Sequence, residues 1–121
     1  MLTQLLIGNA ARDGSAKRGW FVGHFMPAGL PRTDDLEIKW GIHALHEGRT
    51  RWSKNVQAST MSVLVRGRFR LFFRETEALL AEPGDYALWG AGVEHRWRSE
   101  ADDTVVLTVR WPSRAGDAVE L

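Results

Sequence analysis

Residues 84–99 read GDYALWGAGVEHRWRS, and their pattern decides the fold. A turn signal opens the stretch, a short apolar strand follows, and a second turn contains Gly90 and Gly92. Glycine permits the tight or left-handed backbone path that a side chain would block at such a turn. The chain then places His95 at the start of the next strand. The stretch therefore predicts two short strands joined by a glycine-rich turn that delivers one histidine.

His95 and Trp97 are predicted to share one face of the second of these strands. Successive side chains alternate across a strand, so Arg96 and Arg98 are expected on the opposite face. A histidine that points the same way as a large aromatic side chain, directly after a tight turn, is typical of the inner wall of a barrel.

Most of the remaining chain is a series of short apolar or alternating runs separated by turn signals. Strands at this spacing favour an all-β sandwich or barrel, and no eleven-residue window carries a helical stripe. In one run Trp40 alternates with Lys39 and Gly41, which places it on the opposite face. Residues 51–59 are polar and irregular, and 11–17 are predicted to form a loop. The predicted strands are residues 20–26, 36–45, 60–66, 68–74, 78–81, 86–89, 95–98 and 104–111.

A chain of 121 residues predicts a single domain, residues 1–121, that is large enough for its own core. We expect the core at about 36–111, an N-terminal segment and loop at 1–19, and a C-terminal tail at 112–121. The hydrophobic share of 44% and the charged share of 26% are ordinary for a globular protein.

The charge of the chain is nearly balanced, with 16 Lys and Arg against 15 Asp and Glu. Nucleic-acid binding needs a one-sided basic surface, and a membrane span needs about 18 apolar residues in a row. The sequence contains neither, so we expect no nucleic-acid partner and no membrane association. No basic residue precedes the apolar cluster at 5–7, so a cytoplasmic location is expected. The lack of cysteine excludes disulfides, thiolate metal ligands and cysteine nucleophiles.

The quoted stretch resembles the second motif of the cupin family, which consists of small double-stranded β-barrels of the jelly-roll type. That motif has a glycine, a proline, a glycine, a histidine and an asparagine at fixed spacing. The corresponding positions here hold Gly84, Gly90, Gly92, His95 and Ser99. Glycine replaces the proline and serine replaces the asparagine. Gly67 resembles the glycine that ends the first cupin motif, and the gap to Gly84 leaves room for one hairpin. The resemblance implies a cupin-like double-stranded β-helix.

The resemblance also implies metal ligands that this sequence largely lacks. Counted back from Gly67, the family's two histidines and glutamate would fall at Ser53, Asn55 and Thr60, or in a variant spacing at Lys54, Val56 and Thr60. Only His95 matches a ligand position. A first-row divalent metal normally needs three or more imidazole, carboxylate or thiolate donors, so metal-dependent activity does not follow from the resemblance. The orientation of residues 53–56 stays open, because a shift of one residue exchanges inward and outward side chains.

The other three histidines are interpreted as structural. His43 and His46 are three positions apart, so on a strand they point to opposite faces and do not converge without a bulge. A solvated strand end is the preferred interpretation of this pair. His24 is interpreted as a hydrogen-bonded wall residue. Five arginines of the predicted strands are expected to form solvated outer faces, with an anion or partner surface as the alternative: Arg66, Arg68, Arg70, Arg96 and Arg98.

Six tryptophans are many for this length, and buried indoles need partners for their N–H groups. With the intact second motif and the empty first motif, they predict a cupin-fold protein that binds a small molecule and has a degenerate metal site. An aromatic-rich core is the simpler alternative for the tryptophans. Imidazole has a pKa near ~6.5, which suits His95 as a polar anchor in an apolar pocket. The predicted ligand contacts are His95, Trp97, Thr60, Asn55, Trp40 and Tyr86.

Two other functions remain open at this point. One is a small cupin enzyme, an isomerase, epimerase, lyase or metal-dependent oxygenase, that uses His95 as acid and base or as ligand of a divalent metal. The other is a regulatory or scaffold protein with a filled pocket. No cofactor besides that metal is expected. Unpaired sheet edges invite pairing and cupins commonly dimerise, so a homodimer is predicted.

Overall fold

The computed structural model describes residues 4–121, so residues 1–3 of the predicted N-terminal segment lie outside the described part. A four-residue helix, α1 (Ala10–Asp13), and a 3₁₀ turn (Ser15–Lys17) occupy the region predicted to be a loop. The Asn9 side chain caps this helix by accepting a hydrogen bond from the Arg12 backbone N–H. The strands are β1 (Trp20–Val22), β2 (Glu37–His43), β3 (Ser53–Asn55), β4 (Ser59–Arg66), β5 (Phe69–Phe73), β6 (Glu77–Leu80), β7 (Tyr86–Trp89), β8 (His95–Ser99), β9 (Thr104–Trp111) and β10 (Ala118–Glu120).

The strands form two antiparallel sheets, which confirms the all-β prediction. One sheet has the order β1-β2-β9-β4-β7, and the other has the order β10-β3-β8-β5-β6. From β2 onward, consecutive strands of the chain belong to different sheets, except for β5 and β6, which are neighbours in the second sheet. Such alternation is typical of a jelly roll. The apolar cluster between the sheets centres on two leucines of facing strands, Leu64 and Leu71, together with Phe69, Leu80, Trp89 and Val106. This cluster leaves the opposite end of the intersheet space for polar side chains.

Two short strands were missed by the sequence patterns. Ser53–Asn55 lies in the stretch expected to be irregular, and Ala118–Glu120 lies in the predicted tail, yet the two pair with each other. Neither carries an alternating apolar signal, so their pairing depends on tertiary contacts. Asp117 supplies these contacts, because its carboxylate accepts hydrogen bonds from Asn55 Nδ2 (3.1 Å) and from the Gln57 backbone N–H (2.7 Å).

The first sheet places its most apolar face on the outside. In β2 the side chains of Glu37 and His43 are buried, whereas Ile42 is 51% exposed. The same alternation holds in β4, where Thr60 and Ser62 are buried between the sheets. The outward-facing side chains that neighbour one another across the strands are Ile38, Trp40, Ile42, Met61, Val63, Tyr86, Leu88, Leu107, Val109 and Trp111. We call this set the outer apolar face.

Candidate functional site

A cavity of about 280 Å³ lies between the two sheets. Four of the predicted contact residues, His95, Trp97, Thr60 and Asn55, belong to its wall. Ser53 joins them, because it lies opposite His95 in the register of β3 and β8. The glycine-rich turn, β3 and the start of β4 therefore converge at one end of the cavity, as the spacing of the cupin motifs implies.

The orientation of residues 53–56, which the sequence left open, is settled by β3. Asn55 is 4% exposed and faces the cavity, whereas Val56 is 56% exposed. Asn55 orients its amide by donating from Nδ2 to Asp117. Its Oδ1 therefore remains available as an acceptor.

His95 presents one defined ring nitrogen to the cavity. The ring is 6% exposed, and Nδ1 lies 3.1 Å from the carbonyl oxygen of Val93. A carbonyl only accepts, so Nδ1 carries the proton in the neutral ring and Nε2 keeps its lone pair. Burial lowers the pKa of His95 below its usual value, and the nearby Arg110 adds to this effect. At neutral pH the side chain is consequently an uncharged acceptor at Nε2.

Several buried polar atoms at the cavity wall have no hydrogen-bond partner within the described residues. They are Thr60 Oγ1, Asn55 Oδ1, Trp89 Nε1, Arg96 Nε and Arg110 Nε. An unpaired polar group inside a protein costs about 1–3 kcal/mol, so buried polar atoms are nearly always satisfied. These atoms leave unmet hydrogen-bonding capacity beside the cavity.

Lys39 also belongs to the cavity wall, where its ammonium lies near two indole rings. Its Nζ is 5.9 Å from the ring centroids of both Trp20 and Trp97. Burial, together with the positive charges of Arg110 and Arg49, lowers the pKa of Lys39 from its usual 10.5 to about 8. Within residues 4–121 its ammonium has no hydrogen bond and no ion pair. Lys39 is therefore a partly desolvated cation that lies near two aromatic faces.

Arg110 is the second cation of the wall, and a buried polar chain holds it. Its Nη1 is 3.5 Å from Glu37 Oε2. The Ser113 hydroxyl donates to Glu37 Oε1 at 2.7 Å, and His24 Nδ1 donates to the same hydroxyl at 2.7 Å. His24 thus takes part in the hydrogen-bonded support behind the cavity. The chain fixes the Glu37 carboxylate, and through it the guanidinium of Arg110.

Two of the predicted contacts do not reach the cavity. Trp40 belongs to the outer apolar face, and Tyr86 is 62% exposed on the edge strand β7. Both were assigned to the pocket because aromatic side chains are typical of pocket walls. In this sheet the apolar side of each strand points outward instead, so we leave Trp40 and Tyr86 out of the site.

The interpretation of His43 as a solvated strand end is wrong. The residue is 7% exposed, its ring lies 4.4 Å from Trp97, and Nδ1 is 3.1 Å from Glu47 Oε2. Burial lowers the pKa of His43, and Lys39 acts in the same direction. His46 lies in an exposed turn with φ of 69° and does not join His43. Over residues 4–121, no three His, Cys, Asp or Glu side chains are grouped as metal ligands would be.

Among the wall residues that the sequence analysis missed are three polar ones, Lys39, His43 and Arg110. A signal for them exists, because Lys39 and His43 alternate with apolar residues along β2, and Arg110 does so along β9. The pattern alone shows that these polar side chains share a face. It does not show that this face, rather than the apolar one, lines the interior.

Solved structures share this arrangement of strands. KdgF from Halomonas sp. superposes with a TM-score of 0.63 and 19% identity, over 69% of this chain and 74% of that chain. A cupin superfamily protein from Desulfitobacterium hafniense DCB-2 gives 0.59 and 17%, over 68% and 72%. The DMSP lyase DddQ from Ruegeria pomeroyi DSS-3 gives 0.61 and 17%, over 78% of this chain and 47% of that chain. No protein-family model matches the sequence, and no curated protein is similar to it.

These likenesses show the fold. The chain is a double-stranded β-helix of the cupin type, which confirms the resemblance read from the glycine and histidine spacing. Among residues 4–121, no helix combines the length and the apolar character that crossing a membrane requires.

Proposed function

We propose that this chain is a cupin-fold binding protein that holds a small organic molecule in the cavity between its sheets. The observation that carries the proposal is the set of unpaired buried polar atoms around the cavity, beside the single oriented histidine. The contacts we assign are His95, Trp97, Thr60 and Asn55. A filled, vestigial pocket would not leave a cavity of about 280 Å³.

The donors at this site do not fit the divalent metal that the cupin fold implies. The positions of the family's ligands hold two hydroxyls, an amide and one imidazole, from Ser53, Thr60, Asn55 and His95. Neutral hydroxyl and amide oxygens cannot replace the imidazole and carboxylate donors that a first-row metal needs. Lys39 also adds positive charge to the same cavity. We therefore propose binding without a metal, and we derive no step that uses one.

A screen of small metabolites by tryptophan fluorescence and thermal shift tests this function. Trp89 and Trp97 line the cavity, so an occupant should alter their emission. We expect at least one compound to bind, and His95→Ala to weaken it tenfold or more. His46→Ala is the matched control, because His46 is exposed and outside the cavity wall. Compounds that bind His95→Ala as tightly as the natural protein would show that they use another site.

A second candidate function is acid–base catalysis on the bound molecule. It is favoured by the neutral state of His95, whose Nε2 keeps a lone pair that can take a proton near neutral pH. The structurally similar DMSP lyase shows that this fold can carry an enzyme. Proton NMR of a bound compound in deuterated water tests it. Exchange of a carbon-bound hydrogen that disappears in His95→Ala would support catalysis, and no exchange in any bound compound would exclude proton abstraction.

We also propose that the chain forms a homodimer through the outer apolar face. Four strands contribute to it without a single charged side chain, and Ile42, Leu88 and Trp111 are 51%, 56% and 39% exposed. Contiguous exposed apolar surfaces of this kind mark interaction sites. An uncharged apolar face is complementary to itself across a two-fold axis, which favours a second copy of this chain as the partner.

A further inference from the structure

We infer that the molecule bound in this cavity is a small organic anion that also carries hydroxyl groups. The inference rests on the proposed binding function and specifies its ligand. It follows from one juxtaposition: Lys39 and Arg110 supply positive charge to a cavity wall in which His95 and Asn55 present acceptors.

The charge of the wall is one-sided. The cavity is lined by Lys39, Lys54, Arg96 and Arg110, and also by the solvent-exposed residues Arg18 and Arg49. Among the described residues, no aspartate or glutamate belongs to the wall. Glu37 lies behind Arg110, with 3.5 Å between Oε2 and Nη1, and Asp117 also acts on this guanidinium. Lys39 is the wall cation that we single out, because it has no carboxylate partner among the described residues. A partly buried cation without a counter-ion is destabilised, and an anion in the cavity would remove that cost.

The geometry of the two cations suits an oxyanion. Arg110 directs Nη1 to Glu37 and leaves Nε, a second donor on the same planar group, without a partner. Lys39 has no carboxylate partner within the described residues and brings three donors on one ammonium. Hydrogen bonds from charged donors to carboxylates or phosphates are stronger than neutral ones. Either kind of oxyanion provides this chemistry.

The acceptors of the wall require that the molecule also donates hydrogen bonds. His95 uses Nδ1 on Val93, so Nε2 accepts, and Asn55 uses Nδ2 on Asp117, so Oδ1 accepts. A simple carboxylate has no proton for either atom at neutral pH, and a phosphate monoester has little, since its second pKa is near ~6. Hydroxyl groups on the carbon skeleton of the molecule supply both hydrogen bonds. The rings of Trp89 and Trp97 then face its C–H groups.

Matched sets of probes test the inference by isothermal titration calorimetry on the full chain at low salt. Glycerate, threonate and gluconate combine a carboxylate with hydroxyls, and glycerol, threitol and glucitol are their uncharged counterparts. Propionate, butyrate and hexanoate keep the charge and lack the hydroxyls. Glucitol 6-phosphate replaces the carboxylate by a phosphate. We expect a hydroxylated anion to bind at least tenfold more tightly than its uncharged polyol and than the simple carboxylate of equal length.

Lys39→Met tests whether the negative charge of the bound molecule is recognised inside the cavity. We expect it to weaken the tightest hydroxylated anion tenfold or more and to leave the uncharged polyols unchanged. Lys17→Met is the control, since this lysine belongs to the 3₁₀ turn and not to the cavity wall. A far-ultraviolet circular dichroism spectrum equal to that of the natural protein confirms that each variant folds.

The outcomes separate this inference from the binding function on which it rests. Polyols that bind as tightly as the hydroxylated acids would overturn the inference and leave the cavity as a binding site. Simple carboxylates that bind as tightly as hydroxylated ones would overturn the role of His95 and Asn55. If no probe binds but uncharged compounds from the screen do, the inference alone is wrong. If neither probes nor screened compounds bind, both proposals fail.

Discussion

Glu37 and Arg110 lie directly opposite each other on β2 and β9, and their side chains pair at the wall of the cavity with Nη1 3.5 Å from Oε2. The pair is mostly buried, at 11% and 20% side-chain exposure. Behind it, Ser113 and His24 satisfy the second carboxylate oxygen. Hydrogen bonds thus connect His24 and Ser113 to the Glu37 carboxylate, and the ion pair connects Glu37 to Arg110 at the cavity wall.

Replacement of Glu37 should destabilise the protein. Glu37→Gln keeps an acceptor for the Ser113 hydroxyl but leaves Arg110 as a buried cation without a counter-charge. We expect the free energy of unfolding in urea to fall by about 2 kcal/mol. Glu75→Gln, at an exposed turn, should change it by less than about 0.5 kcal/mol. Equal stability of Glu37→Gln and the natural protein would show that the ion pair does not hold Arg110.

The affinity for a hydroxylated anion should depend on pH through Lys39. The charged groups that influence this ammonium are Arg110, Arg49, Glu47 and Arg18, and with burial they place its pKa at about 8. The protonated form binds the anion, so affinity is present below pH 8 and is lost as pH rises through that value. Titration calorimetry between pH 6.5 and 9.5 measures this. A flat profile in the natural protein would contradict the role of Lys39.

Lys39→Met should make the protein more stable while it weakens anion binding. The pKa of Lys39 is lowered in the folded state, so its charge opposes folding below pH 8, and this cost fades as pH rises toward 10.5. After a discount for partial exposure, we expect a gain of about 1 kcal/mol at pH 7, or roughly 4 °C in Tm. Differential scanning calorimetry at pH 7 and pH 10 should show a smaller gain at pH 10. A lower Tm for the variant at pH 7 would mean that Lys39 stabilises the fold.

Glu100 should stabilise the protein at neutral pH and lose this effect in acid. Hydrogen bonds from Arg70 (2.7 Å) and Arg98 (2.6 Å) lower its pKa from 4.5 to about 2. Its contribution is complete above pH 4.5 and is lost as pH falls through 2. We expect Glu100→Gln to cost about 1 kcal/mol at pH 7, because solvent screens this surface cluster. Urea unfolding at pH 7 and pH 2.5 measures the change, and an equal cost at both values would contradict it. Glu82→Gln serves as control.

Charge on the outer apolar face should abolish the dimer. Ile42 and Leu88 are about half exposed in the protomer, so arginines at both positions meet water in the monomer but oppose each other in a two-fold interface. We expect the natural chain to elute as a dimer in light-scattering chromatography and Ile42→Arg/Leu88→Arg to elute as a folded monomer. Thr76→Arg, at a turn of the other sheet, should remain dimeric. A natural chain that is monomeric at high concentration would refute this interface.

The fold was predicted from the resemblance to the two cupin motifs and from the rhythm of the strands. The turns at Gly84 and Gly92 and the start of the strand at His95 could be predicted because they depend on local backbone geometry. Gly92 has φ of 81° and Gly84 has φ of 95°, conformations that other residues rarely adopt. The position of His95 at the cavity wall follows from the same local rule. The site could be predicted to that extent from residues close together in the chain.

The polar wall could not be predicted, because alternation shows which residues share a face and not which face is inside. For this reason Trp40 was predicted to contact the ligand, whereas Lys39 lines the cavity in the structure. The strand Ser53–Asn55 was missed since its partner, Ala118–Glu120, is distant in the chain and equally polar. The arginines expected on solvated outer faces are partly neutralised, as Glu100 binds Arg70 and Arg98. Such pairings are properties of the folded chain.

The hydrogen bond from His95 Nδ1 to the Val93 carbonyl also has a consequence for redox chemistry. With its lone pair fixed at Nε2, the ring attracts an alcohol and repels the oxygen of the ketone formed when that alcohol is oxidised. A site that must hydrogen-bond a hydroxyl discriminates strongly against analogues without one. The cavity would therefore bind an alcohol in preference to the ketone of the same carbon skeleton.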